Sequence, residues 1–189
     1  IIQEKISQIT AINFKEETTT SKEKIGAVAL KSAVVKATLL EGDILEVRFE
    51  DKESKNMFTD AFIAGVTEVF EHIKKNNSYK VIVLTGYDNY FASGGTKEGL
   101  FAIQEGKSKF TDINIYQLAL ECKVPVIAAM QGHGIGAGRD LGAFSDFVLF
   151  SKERKYVSPY MNYGFTPGAG ATYIFPRIMG YDLARETLL

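Results

Sequence analysis

Cysteine is nearly missing from this chain of 189 residues. Cys122 stands alone, which excludes an intrachain disulfide framework and a zinc site built from cysteines. A lone thiol of this kind reads as reduced and partly buried rather than reactive. Histidine is almost as scarce. His72 and His133 lack the i, i+4 spacing of a helical metal pair, so no metal constellation can be traced. Excess charge is missing as well: 22 Lys+Arg against 23 Asp+Glu leave a formal charge of −1. That balance excludes the broad basic footprint of a general nucleic-acid binder, though not a small basic patch for an anionic partner. There is no apolar run of membrane-spanning length and no recognisable signal peptide, so no membrane contact and a cytoplasmic location are expected. What is present is ordinary for a globular chain, 46% hydrophobic and 24% charged, of a length that suits one domain or one domain plus an extension.

The chain opens on Ile1-Ile2 without Met and stops at Leu188-Leu189 without a closing turn, so it is expected to be a piece of a longer polypeptide. Residues 1–33 read as a linker or arm, because the polar stretch from Lys15 to Lys24 has neither helical nor strand periodicity. From Val34 to the end the pattern becomes regular. Leu45, Val47 and Phe49 alternate with charged residues, which predicts a half-buried strand. Phe58, Phe62, Val66, Val69, Phe70 and Ile73 recur at helical spacing and predict an amphipathic helix over 57–76. Its His72 falls on the polar, surface side. Three short apolar runs, at 81–84, 126–130 and 147–150, suit strands buried on both faces. A helix is expected over 113–121 and another over 138–144. Strands alternating with helices predict an α/β fold with largely parallel central strands.

Glycine is concentrated where chemistry is expected. Gly86, Gly94 and Gly95 follow the 81–84 run; Gly132, Gly134, Gly136 and Gly138 follow the 126–130 run. Ligands of parallel sheets gather at the carboxyl ends of strands, and small residues there let a ligand reach main-chain N–H groups. Two such loops side by side can aim two N–H donors at one oxygen, as an oxyanion hole does. Tight turns before helices explain the same glycines equally well. The spacing lacks a complete dinucleotide fingerprint, and no P-loop is present.

Four segments taken together resemble the crotonase (enoyl-CoA hydratase/isomerase) superfamily. They are Val81–Gly86, Tyr90–Gly95, Val124–Gly138 and Gly164–Thr172, and the resemblance covers about residue 34 to the end. It implies a spiral of ββα units, with the C-terminal helical region of such proteins missing here. It also implies an oxyanion hole at the N–H groups of Gly95 and Ala137, and assembly as a trimer or a dimer of trimers. The two glutamates that a hydratase of the family uses fall at Asp140 and Tyr160. One acid is thus shortened and the other lost, which disfavours hydration by that pair. An enolate hole without its acid pair suits decarboxylation, where the departing CO2 leaves an electron pair behind. The wording around Tyr87–Thr96, Gly106–Asp112 and Asn162–Gly168 is similar to the decarboxylating crotonases of polyketide β-branching. These imply a 3-methylglutaconyl thioester as substrate and an acyl carrier protein as partner. They imply no cofactor beyond the phosphopantetheine arm of the carrier protein or of CoA. A lysine at Lys109 would contact the substrate carboxylate, and a histidine beyond Leu189 would donate the proton.

Each candidate also has a plainer reading. Lys109 suits a solvated loop as well as a carboxylate contact, and Lys97 is its nearby rival. His133 suits a structural turn better than a proton donor. Tyr160 lines an acyl pocket or simply packs, and Tyr87 and Tyr90 are open between packing and catalysis. Asp140 suits helix-start electrostatics or a residual acid/base role. Arg139 beside it departs from the apolar residues usual in the decarboxylating relatives. Two further readings stand beside the decarboxylase: a hydratase/dehydratase relying on Asp140, and a catalytically impaired docking module.

Overall fold

The computed structural model describes residues 25–189; the polar stretch read as linker lies outside the described residues. Two sheets organise the molecule. The larger has six strands in the order β1 (Gly26–Val28), β2 (Val35–Leu40), β3 (Ile44–Phe49), β4 (Val81–Thr85), β6 (Val126–Met130) and β8 (Phe147–Phe150). β1, β2 and β3 are antiparallel neighbours, whereas β3, β4, β6 and β8 run parallel. The smaller sheet joins β5 (Tyr90–Ala92), β7 (His133–Ile135) and β9 (Tyr156–Val157), all parallel. The mixed α/β class, with parallel strands dominating the centre, is as expected. Regular structure nevertheless starts ahead of Val34. Gly26–Val28 pairs with β2, and the Glu68 carboxylate accepts the N–H groups of Lys31 at 2.7 Å and Ser32 at 3.0 Å.

Helix α1 (Asp60–Lys75) begins at Thr59, whose hydroxyl accepts the N–H of Phe62 at 3.1 Å. Its apolar stripe packs on the large sheet. Phe62 meets Phe49 edge-on at 5.2 Å between ring centroids, and Phe49 meets Phe91 at 5.5 Å. All three rings are fully buried, each worth about 1.5–3 kcal/mol of transfer free energy. His72 is half-buried rather than on the surface, because its Nε2 lies 2.6 Å from the Tyr79 hydroxyl. The remaining helices are α2 (Lys97–Gln104), α3 (Gln117–Leu120), α4 (Ala137–Ala143), α5 (Ala171–Met179) and α6 (Tyr181–Leu188). None of the described helices is long and apolar enough to cross a membrane.

Three expectations need correction. The helix expected over 113–121 is cut to the single turn of α3. A 3-10 turn at Phe110–Asp112 precedes it, and Ile113 is extended there, so that Ile113 and Tyr116 line a cavity. Strands β4 and β6 bury one face fully and the other only partly. Strand β8 departs furthest. Phe147 and Leu149 are each 62% exposed, because β8 is the last strand of the sheet and no described element covers them.

Candidate active site

The short sheet places the site. After leaving the large sheet, the chain adds one short strand three times over: β4 leads to β5, β6 to β7 and β8 to β9. The residues that follow these short strands meet at one cavity of about 330 Å³. Ser93, Gly94 and Gly95 come after β5, Gly136 and Ala137 after β7, and Pro159 and Tyr160 after β9. The sequence reading set both glycine loops directly after strands of the main sheet and missed the short sheet inside them.

Both glycine loops share this cavity and touch each other. A Cβ added to Gly94 would lie 2.8 Å from the Ile135 carbonyl oxygen and 3.2 Å from the Ala137 nitrogen. One added to Gly138 would lie 2.2 Å from the Ala92 carbonyl oxygen, closer than real side chains approach. The two loops are therefore in backbone contact, and glycine is what permits it. Two side-chain amides, the buried Asn56 and the half-buried Gln131, hold the strands that carry them. Asn56 donates to the carbonyls of Phe49 at 3.1 Å and Phe91 at 2.8 Å, and Gln131 Oε1 accepts the Gly86 N–H at 2.9 Å. Neither the Gly95 nor the Ala137 N–H has a backbone acceptor among the described residues. Ala137 is the first residue of α4, whose N–H groups lack intrahelical partners.

The rest of the lining includes side chains. Lys97, Lys109, Tyr116, Tyr160 and Phe165 are among them, with Phe110 edge-on to Tyr160 at 6.1 Å. Lys107, which shares the Lys109 loop, is paired with Glu105 at 2.6 Å. Lys97 and Lys109 have no ion-pair partner among the described residues. The one carboxylate on the cavity wall is Asp112, which accepts the Lys109 main-chain N–H at 2.8 Å. No group of three or more His, Cys, Asp or Glu suited to a metal ion occurs among the described residues.

Of the residues singled out in the sequence, Gly95, Ala137, Lys97, Lys109 and Tyr160 are brought together here, and Asp140 and His133 are not on the wall. His133 sits on β7, two residues and so about 6.6 Å upstream of Ile135. Its Nδ1 accepts the Lys155 N–H at 3.0 Å and its ring meets Tyr90, which makes it a packing residue of the short sheet. Tyr87 and Tyr90 pack on each other away from the cavity. Asp140 lies behind the wall, fully buried on α4, and the Tyr160 hydroxyl donates to its Oδ2 in a very short hydrogen bond. Burial pushes its carboxyl up to about 7, with the Tyr160 hydrogen bond and the Arg139 charge opposing the rise. Burial also drives the phenols of Tyr160 and Tyr116 well above their ordinary value, and Asp140 adds to both. Arg139 has no ion pair to Asp140 among the described residues. One guanidinium nitrogen donates to Ser158 Oγ at 3.2 Å, and the group lies 4.2 Å from the Phe175 ring centroid. Cys122 is half-buried and free, with its thiol pushed up by burial. Tyr116, Tyr163 and Phe165 are wall residues that sequence reading did not single out; single aromatic residues in loops carry no periodic signal.

Residues 40–189 match the enoyl-CoA hydratase/isomerase family. Bacillaene synthase decarboxylase PksI of Bacillus subtilis is 52% identical over 157 residues, which cover 83% of this chain and 63% of that protein. A solved structure from a dehydratase/decarboxylase enzyme couple of polyketide beta-branching superposes with a TM-score of 0.85. It is 49% identical and covers 87% of this chain and 65% of its own. The ECH2 decarboxylase domain of CurF from Lyngbya majuscula superposes with a TM-score of 0.78 at 39% identity, covering 82% of this chain and 63% of its own. The chain thus spans a little under two thirds of the length of these relatives.

Proposed function

Because the chain belongs to the enoyl-CoA hydratase/isomerase family, and because its cavity pairs two backbone loops with two lysines that have no ion-pair partner among the described residues, we propose that its protein decarboxylates a 3-methylglutaconyl-type thioester during polyketide β-branching. The thioester is carried by an acyl carrier protein, with the phosphopantetheine arm as part of the substrate and no further cofactor. By likeness to the family, the intact protein assembles as a trimer or a dimer of trimers.

The mechanism starts from the electron pair. When the carboxylate leaves as CO2, the pair of the breaking C–C bond moves into the thioester and negative charge collects on its oxygen. The N–H groups of Gly95 and Ala137 line the same cavity on touching loops and are the donors assigned to that oxygen. A fixed donor at such a position lowers the barrier by about 3–4 kcal/mol. Lys109 is assigned to hold the carboxylate before it departs, with Lys97 as the second cation of the wall.

The observation that carries this reading is the union of both glycine loops in one cavity where the sole wall carboxylate among the described residues is engaged with its own loop. Direct hydration by Asp140 needs that carboxylate at the substrate, and Tyr160 stands between it and the cavity. The test is to incubate the full-length protein with 3-methylglutaconyl carrier protein and follow loss of CO2 by mass spectrometry. Loss in wild type and its collapse in Lys109→Met are expected. Hydration of an enoyl thioester without CO2 loss would overturn the reading.

A further inference from the structure

We propose that the hydrogen bond between Tyr160 and Asp140 is a positioning device: it fixes the first turn of α4, and with it the Ala137 N–H, against the cavity. This rests on the assignment of that N–H to the thioester oxygen and deepens it. A main-chain donor cannot be aimed by a rotamer; it points wherever its helix points. What holds α4 therefore sets the reach of the donor, and a displacement of about 1 Å is enough to cost a large part of its effect.

Three hydrogen bonds tie this end of α4 to one segment, residues 157–160. Ahead of Ala137, the Gly136 N–H donates to the Val157 carbonyl at 2.7 Å. After it, an Arg139 guanidinium nitrogen donates to Ser158 Oγ at 3.2 Å, and the Tyr160 hydroxyl donates to Asp140 Oδ2. Ala137 thus lies between a main-chain tie and two side-chain ties. The segment itself is anchored. Strand β9 pairs in parallel with β7, the Pro159 ring restricts its own φ, and the Tyr160 carbonyl accepts the N–H groups of Tyr163 and Phe165, each at 3.0 Å. The Tyr160 ring is buried and edge-on to Phe110.

The chemistry of the pair suits positioning better than stability. Asp140 is fully buried and Arg139 nearly so, and Asp140 Oδ1 has no hydrogen-bond partner among the described residues. Apolar residues of similar volume would fill this space at lower cost. What they lack is direction. Apolar surfaces can slide over each other, whereas a hydrogen bond from a phenol to a carboxyl group fixes both distance and angle. The bond survives a change of protonation, since a neutral carboxyl group can accept from the phenol or donate to it. Tyr160 and Asp140 are thus positioning residues, and neither has to exchange a proton with substrate or solvent.

The experiment uses the full-length protein and two carrier-protein thioesters: 3-methylglutaconyl for turnover, and 3-methylcrotonyl with an isotope-labelled carbonyl for the infrared spectrum of the bound state. In wild type the carbonyl stretch is expected to fall on binding, as the donors polarise the oxygen. Tyr160→Phe should lose about half of that downshift, since one donor of the pair moves, and should lower kcat about tenfold with KM within about threefold. Asp140→Leu should do the same, and Asp140→Asn, whose amide oxygen accepts the Tyr160 O–H, should recover most of both. A full downshift in Tyr160→Phe, or no difference between Asp140→Leu and Asp140→Asn, would overturn the tie. A downshift in wild type without CO2 release would overturn decarboxylation and leave the tie standing; no downshift in wild type would remove the tie and the donor assignment together. Should Tyr160→Phe fail to fold, the comparison of Asp140→Leu with Asp140→Asn carries the test.

Discussion

The cavity has one wall of main chain and one of side chains. On the first, Gly94, Gly95, Gly136 and Ala137 bring backbone from two loops into contact. On the second, Lys97, Lys109, Tyr116 and Tyr160 line the cavity from separate segments. The walls differ in what a substitution can do to them. A backbone wall has no functional group to remove; it can only be pushed out of place, and then both loops move together. A side-chain wall can lose one group while the rest stays put. Steric changes on the first wall should therefore act on folding, and chemical changes on the second should act on rate or proton affinity.

The largest effect is expected where the two loops touch. Gly138→Val should cost more than about 4 kcal/mol or prevent folding, because its Cβ would meet the Ala92 carbonyl at 2.2 Å; thermal melting of the purified variant measures this. A variant that melts like wild type would erase the contrast between the walls. On the second wall, Lys109→Met should lower kcat/KM about a hundredfold with little change in melting temperature, while Lys107→Met, already paired with Glu105, should change it less than about twofold. Equal losses in both would return Lys109 to an ordinary solvated lysine.

A smaller effect sharpens the contrast through pH. The Asp140 carboxyl is raised from 3.8 to about 7 in the folded state, so the neutral acid is the form the fold favours. Its stabilising contribution is complete below the unfolded value and is lost as pH climbs through about 7. Asp140→Asn should therefore be more stable than wild type at pH 8, on the order of 4 kcal/mol, with the gap closing toward pH 4. Urea denaturation at the two pH values reads it, and a gap that widens toward acid would contradict the burial argument. The smallest effect is expected at His133, which lies off both walls. His133→Gln should shift stability by no more than about 1 kcal/mol and leave kcat within about twofold.

Much of the large sheet and of α1 was legible because their signals are periodic. Phe62, Val66, Val69 and Ile73 define a helical stripe whatever the fold, and Leu45, Val47 and Phe49 define a strand face. The short sheet was not legible. Strands of two or three residues such as His133–Ile135 are too brief for a period of two to show, and glycine hides the rest. The meeting of Gly95 with Ala137 at one cavity followed from the family resemblance. The resemblance also paired the positions of Asp140 and Tyr160, but not the hydrogen bond between them, since nothing local couples two residues 20 positions apart. Burial of β8 was misread for a related reason. Val126–Met130 and Phe147–Phe150 are equally apolar, and only their places in the sheet, interior against last, decide which of them is covered.

That last strand has a practical consequence. Phe147, Leu149 and Phe150 stand open to water, on a strand whose outer main-chain edge has no neighbour among the described residues. Such an edge is a template for annealing to another strand, and greasy side chains strengthen the attraction. Residues 25–189 should bind hydrophobic dyes and precipitate as concentration rises, so a soluble preparation calls for charged replacements on β8.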